Sequence, residues 1–374
     1  MKTLRIFLHF VFGVVNVLVL ILFVAAAYSD RISPDQSILF SYLGLAFPVL
    51  CILNLCFMVY WLFVGEWRLI LIGLASFLLS WGPVKHYFPF HGRVKPVPTE
   101  NVIKVLTYNV MAFGYKNHTK LSPNKILKYI MHSGADVVCL QEYAESKSPK
   151  GLTAAKIYDA LKMYPYRSVL FTSSSRFQDF GVAVFSKYPI TNIRPVKYDS
   201  KYNGSSIQEI KIGEKKLTLI NNHLESFKLT MEDRSRYSSL IKSFGSDGLD
   251  ELRGAFEQKL GPAFRIRSKQ AEAVAREIQK SKNPYVLVCG DFNDTPISYA
   301  HRTIQGDLVD AFAASGRGMG ITYNRNLFWF RIDNILHTPN MTSMNCTVDK
   351  VKYSDHYPLW CYIRLEADSG KKGK

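Results

Sequence analysis

Residues 286–294 read Val-Leu-Val-Cys-Gly-Asp-Phe-Asn-Asp, and this stretch does the most to decide the fold. Four consecutive apolar residues are typical of a strand that is buried on both faces of its sheet. Gly290 then leads into Asp291 and Asn293, so the strand delivers a carboxylate and a carboxamide to its end. Because a buried charge is costly unless it is paired or metal-bound, we expect these side chains to belong to a functional site.

The same pattern recurs at four other places along the chain. In each, a carboxamide, a carboxylate or an imidazole adjoins a short apolar run. These groups are Asn109 after Val105–Tyr108, Gln141 and Glu142 after Val138–Leu140, His223 after Leu219–Asn222, and Asp355 and His356 before the strand that starts near Pro358. Asp333 lies within a further apolar run at 331–336. Polar groups gathered at the ends of core strands predict one shared site.

Between these runs, residues 101–366 predict many short strands and few helices. Strands are predicted at 103–108, 137–140, 182–185, 207–212, 217–222, 285–289, 331–336 and 358–363, and helices at 122–134, 153–163 and 267–280. This ratio favours two packed sheets with helices outside over a doubly wound parallel sheet.

Three segments near the motifs have more than one interpretation. Leu327–Phe330 is predicted to be a core strand, with a membrane or base-stacking edge as the alternative. Asp294 is expected to cap the helix after Pro296 rather than to act in the site. Residues 226–267 form a long insertion with helices predicted near 232–244 and 251–260. This insertion is either a surface excursion or a lid over the substrate.

The residue types at the predicted site indicate a hard metal ion and an oriented histidine. Carboxylate and carboxamide oxygens without a Cys/His cluster favour Mg²⁺, or Mn²⁺, over zinc. His356 stands beside Asp355 and has Asp333 available, which fits an imidazole that a carboxylate orients and makes more basic.

In this order, the motifs resemble those of the endonuclease/exonuclease/phosphatase superfamily, which includes deoxyribonuclease I, exonuclease III, neutral sphingomyelinases and inositol polyphosphate 5-phosphatases. The matching motifs are Asn109, Gln141-Glu142, Asn221–Leu224, Gly290–Asn293, Ile332-Asp333 and Ser354–His356. The resemblance covers about residues 101–366. It implies an α/β (α+β) fold, a four-layer α/β/β/α sandwich like that of deoxyribonuclease I. It also implies hydrolysis of a phosphate ester with a divalent metal ion.

The resemblance further implies a metal site and a water-positioning pair. Glu142 would be the metal ligand, with Asn109 helping to bind metal or phosphate. Asp291 and Asn293 would position the attacking water and stabilise the pentavalent transition state.

The remaining implied roles concern the phosphate and the proton. His223 would hydrogen-bond the phosphate. His356 would be the general base or a phosphate-stabilising imidazolium, oriented by Asp333 or Asp355. Whether Asp291 or His356 takes the proton stays open at the level of sequence.

The first 85 residues predict a membrane segment with three transmembrane helices, at about 6–28, 38–64 and 69–84. About 20 apolar residues span a hydrocarbon core, so the first two stretches pass this test. The third is shorter, but Trp67 and Trp81 near its ends suit the interfacial aromatic belt. A cleaved signal peptide ending near Ala25–Ala27 is the alternative for the first stretch. That stretch exceeds the usual signal core of about 7–15 residues, so we expect a retained helix.

Charges around the predicted spans point in two directions. Lys2 and Arg5 before the first span favour a cytoplasmic N-terminus, and three spans then place the rest of the chain outside the cytoplasm. Lys85, Arg93 and Lys95 after the third span argue for the opposite. We expect a multi-pass protein of the cell membrane with its large domain outside the cytoplasm.

Two further segments flank the predicted catalytic domain. Residues 86–100 contain three prolines and predict an extended linker. Residues 367–374 predict a disordered basic tail. The catalytic domain is therefore expected at 101–366.

The net charge of +17 attracts either nucleic acid or anionic lipid headgroups. Tethering gives an enzyme lipid at a high effective concentration, and Met111 stands where the superfamily's abasic-site nucleases carry Asp, which weakens a DNA-repair role. We predict a membrane-anchored, Mg²⁺-dependent phosphoesterase (phosphodiesterase or phosphatase) acting on a lipid headgroup or a phosphorylated small molecule. The alternatives are a metal-dependent endonuclease or exonuclease acting on nucleic acid and, more remotely, an inactive membrane scaffold. No protein partner is predicted.

Overall fold

The computed structural model describes residues 2–94, 101–200, 202–227, 254, 258, 260–325 and 328–366. Three sequence predictions lie wholly or largely outside the described residues: the second part of the linker 86–100, the insertion helices near 232–244 and 251–260, and the basic tail 367–374. The described residues form an N-terminal helical segment and an α/β domain that packs against it.

Four helices make up the N-terminal segment. They are α1 (Lys2–Ala27), α2 (Ile38–Val64), α3 (Trp67–Leu79) and α4 (Trp81–Tyr87), with a 3-10 turn (Ser29–Arg31) between the first two. Helices α1 and α2 are long and apolar enough to cross a membrane, and α3 and α4 together would make a third crossing that is bent by 69°. The single helix predicted over 69–84 is therefore broken. Pro83 explains the break, because it has no backbone N–H and its ring clashes with the carbonyl four residues earlier.

Polar residues inside these apolar helices join them to one another. Asn16 of α1 accepts a hydrogen bond from the Trp61 indole of α2 at 2.9 Å, and Asn54 of α2 donates to the Ser76 hydroxyl of α3 at 2.8 Å. All four residues are buried. An unsatisfied polar group in hydrocarbon is costly, so these pairs explain how two asparagines are tolerated in the predicted spans.

Two six-stranded sheets form the centre of the α/β domain within the described residues. The first contains β1 (Val102–Asn109), β2 (Val137–Ser146), β3 (Tyr166–Ser174), β4 (Gln178–Ser186), β13 (Met341–Val348) and β14 (Leu359–Leu365), in the order β13-β14-β1-β2-β4-β3. The second contains β5 (Ile190–Pro195), β6 (Gly204–Ile212), β7 (Lys215–His223), β8 (Tyr285–Asp291), β9 (Val309–Asp310) and β12 (Asp333–His337), in the order β5-β6-β7-β8-β12-β9. A separate hairpin joins β10 (Tyr323–Arg325) and β11 (Phe328–Phe330).

The two sheets face each other across an apolar core, to which Val105, Cys139, Leu219 and Leu287 belong. Helices cover the outer faces and complete the layers. On the first sheet lie α6 (Lys125–His132) and α7 (Ala154–Ala160), and on the second lie α8 (Gly261–Gln279) and α9 (Tyr299–Gln305). The short helices α5 (Met111–Gly114) and α10 (Ala311–Ser315) follow β1 and β9. The predicted four-layer α/β/β/α sandwich, preceded by apolar helices, is confirmed.

Parallel pairing brings the ends of the motif-bearing strands to one edge of each sheet. β1 runs parallel to β2 with Asn109 opposite Gln141, and β7 runs parallel to β8 with His223 opposite Asp291. β12 is antiparallel to β8, and its first residue, Asp333, pairs with Asp291. The strand register therefore gathers the candidate site residues at one end of the sandwich.

The two chain ends of the domain meet in the first sheet. β1 pairs with β14 in antiparallel register from Val102 opposite Arg364 to Thr107 opposite Leu359. His356 comes three residues before β14, so the strand that closes the sheet also places this histidine.

Sequence reasoning misses five strands, β3, β5, β9, β10 and β13, and misplaces β11. β3, β5 and β13 each form an edge of a sheet. β5 and β13 lack the continuous apolar run that identifies a buried strand, and β3 has one only at Val169–Phe171, between polar ends. The prediction of a core strand at Leu327–Phe330 is wrong, since β11 belongs to the separate hairpin and Trp329 is 56% exposed.

The helical segment packs against the α/β domain at the end of the bundle where α1 ends and α2 begins. Asp30, in the turn between these helices, pairs with Arg302 of α9 at 3.4 Å. At α4, the carbonyl of His86 accepts a hydrogen bond from Arg331 at 2.9 Å, and Tyr87 is buried. The first residues of the predicted linker are thus the helical end of α4 and part of the junction.

Candidate active site

The strand ends converge on one cavity at the edge of the sandwich. The predicted site residues that line it are Glu142, Asp291, Asn293, Asp355 and His356. Asn109, His223 and Asp333 lie directly beside these residues, within the distances given below. The fold therefore brings together all eight residues that the sequence predicts.

His356 is held between two carboxylates. Its Nδ1 lies 2.8 Å from Asp333 Oδ2, and its Nε2 lies 3.6 Å from Asp291 Oδ2. All three side chains are buried. Of the two carboxylates expected to orient the ring, Asp333 is the one in contact with it. Asp355 Oδ1 instead lies 3.2 Å from Ser354 Oγ.

Burial and charge act in opposite directions on these groups. Burial disfavours the imidazolium of His356, but Asp333 and Asp291 more than offset this and raise its pKa to about 10. Burial raises the pKa of Asp291 to about 6, although His356 opposes that shift. Burial also lowers the pKa of His223. At neutral pH this arrangement favours a protonated His356 beside an ionised Asp291.

Asn109 joins two of the carboxylates that face the cavity. Its Nδ2 donates to Glu142 Oε1 at 3.1 Å and to Asp291 Oδ2 at 3.0 Å, while its Oδ1 accepts from the Met111 backbone N–H at 3.1 Å. His223 Nε2 lies 3.9 Å from the same Glu142 oxygen and 4.0 Å from the same Asp291 oxygen. Because the amide nitrogen of Asn109 faces the carboxylates, this side chain is arranged to position them rather than to ligate a metal through oxygen.

Two of the site residues have a left-handed backbone. Glu142 has φ +48° at a bulge in β2, and Asn293 has φ +52° directly after β8. The Asn293 backbone N–H donates to Asp291 Oδ1 at 2.8 Å, and its Nδ2 donates to the Leu224 carbonyl at 2.9 Å. A left-handed non-glycine residue costs on the order of 1 kcal/mol and persists where the surrounding structure demands it. The bulge turns the Glu142 side chain out of the strand's alternation and towards the cavity.

The turn after Asn109 is left-handed along its whole length. Met111, Ala112, Phe113, Gly114 and Tyr115 all have φ between +44° and +66°. Phe113 is buried and packs edge-on against the Tyr143 ring at 5.6 Å. The residue that departs from the abasic-site nuclease pattern, Met111, therefore begins a strained turn beside the site.

The match to known proteins follows the same residues. A model of the Endonuclease/Exonuclease/phosphatase family matches residues 106–356, more than half of the chain. The chain belongs to the endonuclease/exonuclease/phosphatase family. Membership assigns the domain to the hydrolases of phosphodiester bonds.

Similar solved structures include other members of the endonuclease/exonuclease/phosphatase family. A family protein from Leptotrichia buccalis has 15% identity, covers 70% of this chain and 99% of its own, and has a TM-score of 0.48. One from Bacteroides vulgatus has 16% identity, 71% and 99% coverage, and a TM-score of 0.48. A humanized D. rerio TDP2 has 15% identity, 71% and 99% coverage, and a TM-score of 0.47. At these values, the family assignment rests on the sequence match over 106–356.

The helical segment has a match of its own. A second family model, described as a domain of unknown function (DUF8431), matches residues 8–87, which run from α1 to the end of α4. No curated protein matches the chain.

The donor set of this family member fits a divalent metal ion, which members of the family generally use. Glu142 and Asp291 direct carboxylate oxygens into one space, and the Glu142 side chain is 38% exposed. Mg²⁺ is commonly held by one or two carboxylates and keeps several waters, so Glu142 suits it. Asp291, Asp333 and His356 also group their ligand atoms within 4.8 Å. In that group the 2.8 Å contact occupies one ring nitrogen of His356 and one oxygen of Asp333, so both Glu142 and this group are candidate ligand positions.

Three residues of the matched motifs, Gln141, Asn221 and Ser354, hold the site residues in place, although sequence reasoning assigns them no role in the reaction. Gln141 Nε2 of the first sheet donates to Asn221 Oδ1 of the second sheet at 2.7 Å. Ser354 Oγ donates to the Asn109 carbonyl at 2.8 Å and so ties the last motif to the first. Each of the three is buried and adjoins a predicted site residue or lies within its motif. For Gln141 and Asn221, the signal in the sequence is a polar side chain directly after a run of apolar residues.

Asp294 does not cap the following helix as expected. Ser298 takes that position, since its Oγ accepts from the His301 backbone N–H at 3.1 Å. Asp294 instead lines the cavity and pairs with Arg267 of α8 at 2.7 Å, with both side chains buried. This ion pair fixes the loop that carries Asn293 against α8.

Proposed function

We propose that this protein is a membrane-anchored, divalent-metal-dependent phosphoesterase that hydrolyses a phosphodiester at the surface of a bilayer. The observation that carries the proposal is the buried His356–Asp333 pair at 2.8 Å, with Asp291 Oδ2 3.6 Å from the other ring nitrogen. Glu142 lines the same cavity. Hydrolysis of a phosphate ester needs charge neutralisation, a positioned water and a base, and these side chains supply candidates for each.

The chain's own residues divide into two roles in the proposed reaction. Asp291 is held by Asn109 and by the Asn293 backbone N–H, and it would accept the proton of the attacking water. His356 keeps its proton because carboxylates flank both ring nitrogens, so it would donate a hydrogen bond to a phosphoryl oxygen. His223 Nε2 lies 3.9 Å from Glu142 Oε1 and 4.0 Å from Asp291 Oδ2, and it would contact a second phosphoryl oxygen. A divalent ion held by Glu142 would neutralise charge on the phosphate.

A hydrolysis assay on the full-length protein in detergent micelles tests the reaction. The substrate is bis(4-nitrophenyl) phosphate, with Mg²⁺, Mn²⁺ or EDTA. We expect Asp291→Asn and His356→Gln each to lower kcat/KM by about 10²- to 10⁴-fold. Asp179→Asn is the matched control, because this carboxylate pairs with Lys147 on the surface of β4. Wild-type rates in both site variants would refute the site, and full activity in EDTA would refute the metal dependence.

A lipid headgroup, or another phosphorylated small molecule, is the proposed substrate class, and the packing of the anchor against the site's own domain supports it. The net charge of +17 supports nucleic acid as the alternative. The same preparation should therefore be offered plasmid DNA, single-stranded DNA and phospholipid vesicles. Cleavage of DNA at rates far above lipid turnover would establish the nuclease. Inactivity on every substrate, with either metal, would leave only the membrane scaffold.

We further propose that the chain crosses the membrane three times and holds its domain outside the cytoplasm. Both the α1–α2 turn, through Asp30, and α4, through His86, contact the domain. These two points therefore lie on one side, and α2 and α3 lead away from it and back. Lys2 and Arg5 favour a cytoplasmic start for α1. The test is labelling of Lys216→Cys, in a Cys56→Ala background, by a membrane-impermeant maleimide on intact cells; labelling only after lysis would reverse the placement.

A further inference from the structure

One residue of the membrane segment, Leu45, lines the cavity that holds the candidate catalytic residues. Besides the polar residues described above, its lining contains five apolar side chains: Leu45, Phe227, Leu260, Phe330 and Ile332. Leu45 belongs to α2, one of the two helices long enough to cross a membrane. The remaining four belong to the α/β domain. The anchor and the domain therefore line one cavity together with the carboxylates and His356. We call its five apolar residues the apolar wall.

We propose that Leu45 and this apolar wall receive the hydrocarbon next to the scissile phosphate of an ester that resides in the bilayer. The inference rests on the proposed function and narrows its substrate to an amphiphilic phosphodiester. In this arrangement α2 is a specificity element as well as an anchor.

The position of Leu45 along α2 places the cavity at the boundary of the hydrocarbon. Apart from Leu39 in its first turn, the exposed large apolar side chains of α2 run from Val49 to Phe63, and those of α1 run from Leu4 to Leu22. Such a band is the surface that lipid tails cover. Leu45 precedes Val49 by four residues, which is about 6 Å along a helix. Headgroup phosphates lie just beyond the hydrocarbon, so the cavity opens where a lipid carries its phosphodiester.

Close packing fixes Leu45 relative to the candidate catalytic residues. The preceding residue, Gly44, lies so close to the Ile297 carbonyl and the Ser29 hydroxyl that a side chain there would overlap both. Ile297 is four residues after Asn293, on the loop that follows β8. Tyr42, two residues before Gly44, packs its ring edge-on against Phe264 of α8 at 5.7 Å. The anchor therefore meets the loop that carries part of the site.

The size of the cavity agrees with partial entry of a long substrate. Its volume within the described residues is about 120 Å³. That volume holds a phosphoryl group and a few adjoining atoms, whereas binding pockets for whole drug-sized ligands are about 300–1,000 Å³. The rest of an amphiphilic ester would leave along the apolar wall towards the lipid-covered surface of α2.

A pair of substrates that share one leaving group tests the inference. Ethyl 4-nitrophenyl phosphate and hexadecyl 4-nitrophenyl phosphate, the latter in phosphatidylcholine nanodiscs, are assayed with the full-length protein. We expect Leu45→Ser to lower kcat/KM for the hexadecyl ester by roughly four- to fifteen-fold, the effect of one or two lost methylene contacts. The ethyl ester, which lacks the long chain, should lose much less, so the readout is the ratio of the two losses. Leu53→Ser, on the lipid-exposed part of α2, should change neither rate.

Other outcomes separate this inference from the proposed function. Equal losses on both esters would show that Leu45 is structural, and unchanged rates on both would show that it does not touch the substrate; either result overturns the inference. Leu45→Met, which keeps an apolar side chain of similar volume, should retain the hexadecyl rate and serves if Leu45→Ser is poorly folded. Failure of the wild type on both esters would instead overturn the proposed function.

Discussion

Two clusters of histidine and aspartate in this molecule contain the same residue types, but one belongs to the candidate site and the other joins the helical segment to the domain. In the site cluster (His356, Asp333, Asp291), two carboxylates flank one imidazole. In the junction cluster (His86, His301, Asp310, Arg331), one carboxylate faces three cationic or imidazole groups. Asp310 Oδ2 lies 3.3 Å from His86 Nε2, 3.4 Å from His301 Nε2 and 3.3 Å from Arg331 Nη1.

The difference lies in how completely each carboxylate is compensated. Burial raises the pKa of Asp310, but Arg331 and the two histidines outweigh it and hold the pKa well below its usual range. Two backbone N–H groups of α10 also donate to Asp310 Oδ1. Asp333 Oδ1, by contrast, has no hydrogen-bond partner among the described residues. A buried carboxylate whose charge is incompletely compensated next to a cavity is typical of a catalytic site. A carboxylate whose charge is fully compensated is typical of a structural role.

This contrast also decides between two readings of the junction cluster. His86, His301 and Asp310 are a donor set that could hold a metal ion. Arg331 places a fixed positive charge on the same carboxylate, at 3.3 Å, and packs over the Phe312 ring at 4.6 Å. The guanidinium compensates the negative charge of Asp310, as a bound metal ion would. We therefore interpret the junction cluster as a structural link, here called the clasp, between α4 and the domain.

The largest expected effect comes from removing a carboxylate from the site cluster. Asp291→Asn should lower kcat/KM by about 10²- to 10⁴-fold, while the thermal unfolding midpoint stays within a few degrees of wild type or rises, because a costly buried charge is removed. Paired measurements of hydrolysis and of thermal unfolding check both parts. A large loss of stability would show that Asp291 is structural as well.

The matched change in the junction cluster should have the opposite profile. Asp310→Asn leaves Arg331 buried without its counter-charge, and breaking such a pair costs about 3–5 kcal/mol. Activity per folded molecule should stay within about threefold of wild type, since no junction residue lines the catalytic cavity. Chemical denaturation and active-site titration distinguish the two quantities. A folded but inactive Asp310→Asn protein would contradict the division of roles.

The two clusters should respond to pH with opposite signs. The pKa of His301 is lowered by burial, so the unfolded chain takes up a proton below about pH 6.5 that the folded state resists. Stability from the junction is therefore lost as the pH falls below that value. The pKa of His356 is raised to about 10, so its contribution is present below about pH 6.5 and is lost as the pH rises towards 10.

Unfolding midpoints of the metal-free protein between pH 5 and 10 check these signs. The contribution of His356 is expected to amount to a few kcal/mol. His301→Gln should flatten the acid side of the profile, and His356→Gln should flatten the alkaline side. Flattening on the same side in both variants would refute the comparison.

The smallest effect is expected at the exposed part of the junction. Arg302 is 54% exposed and pairs with Asp30 at 3.4 Å. Exposed ion pairs contribute about 0–1 kcal/mol, so Arg302→Ala should shift the thermal midpoint only slightly and leave hydrolysis unchanged. A loss comparable to that of Asp310→Asn would mean that the α1–α2 turn, rather than the buried clasp, holds the anchor in place.

Sequence reasoning predicted the residues that the fold brings together, because each stands beside or within an apolar run, where burial makes a polar group conspicuous. It could not choose between Asp333 and Asp355 as the partner of His356, because that depends on the register of β12 against β8. It also could not place Leu45 in the site. An apolar residue in a membrane span has no signal of its own, and only the packing of α2 against the loop after β8 gives it a role.

The broken helix and the edge strands were missed for related reasons. Pro83 was counted as part of an apolar stretch, although its effect on backbone geometry determines the bend between α3 and α4. The edge strands β5 and β13 lack continuous apolar runs, and the run in β3 is only three residues long. A run of apolar residues identifies strands that are buried on both faces. It is a weak predictor wherever contacts with residues distant in sequence determine the backbone conformation.

The pairing of β1 with β14 has a consequence for the order of events during biosynthesis. About 250 residues separate these neighbours, and at ribosomal rates their synthesis is on the order of tens of seconds apart. The helical segment leaves the ribosome first, so with the membrane anchoring proposed above the nascent polypeptide would already be held at the bilayer while the candidate site still lacks His356. Premature termination anywhere upstream of Leu359 would leave a tethered, incomplete sheet, and turnover can begin only once the last strand has emerged.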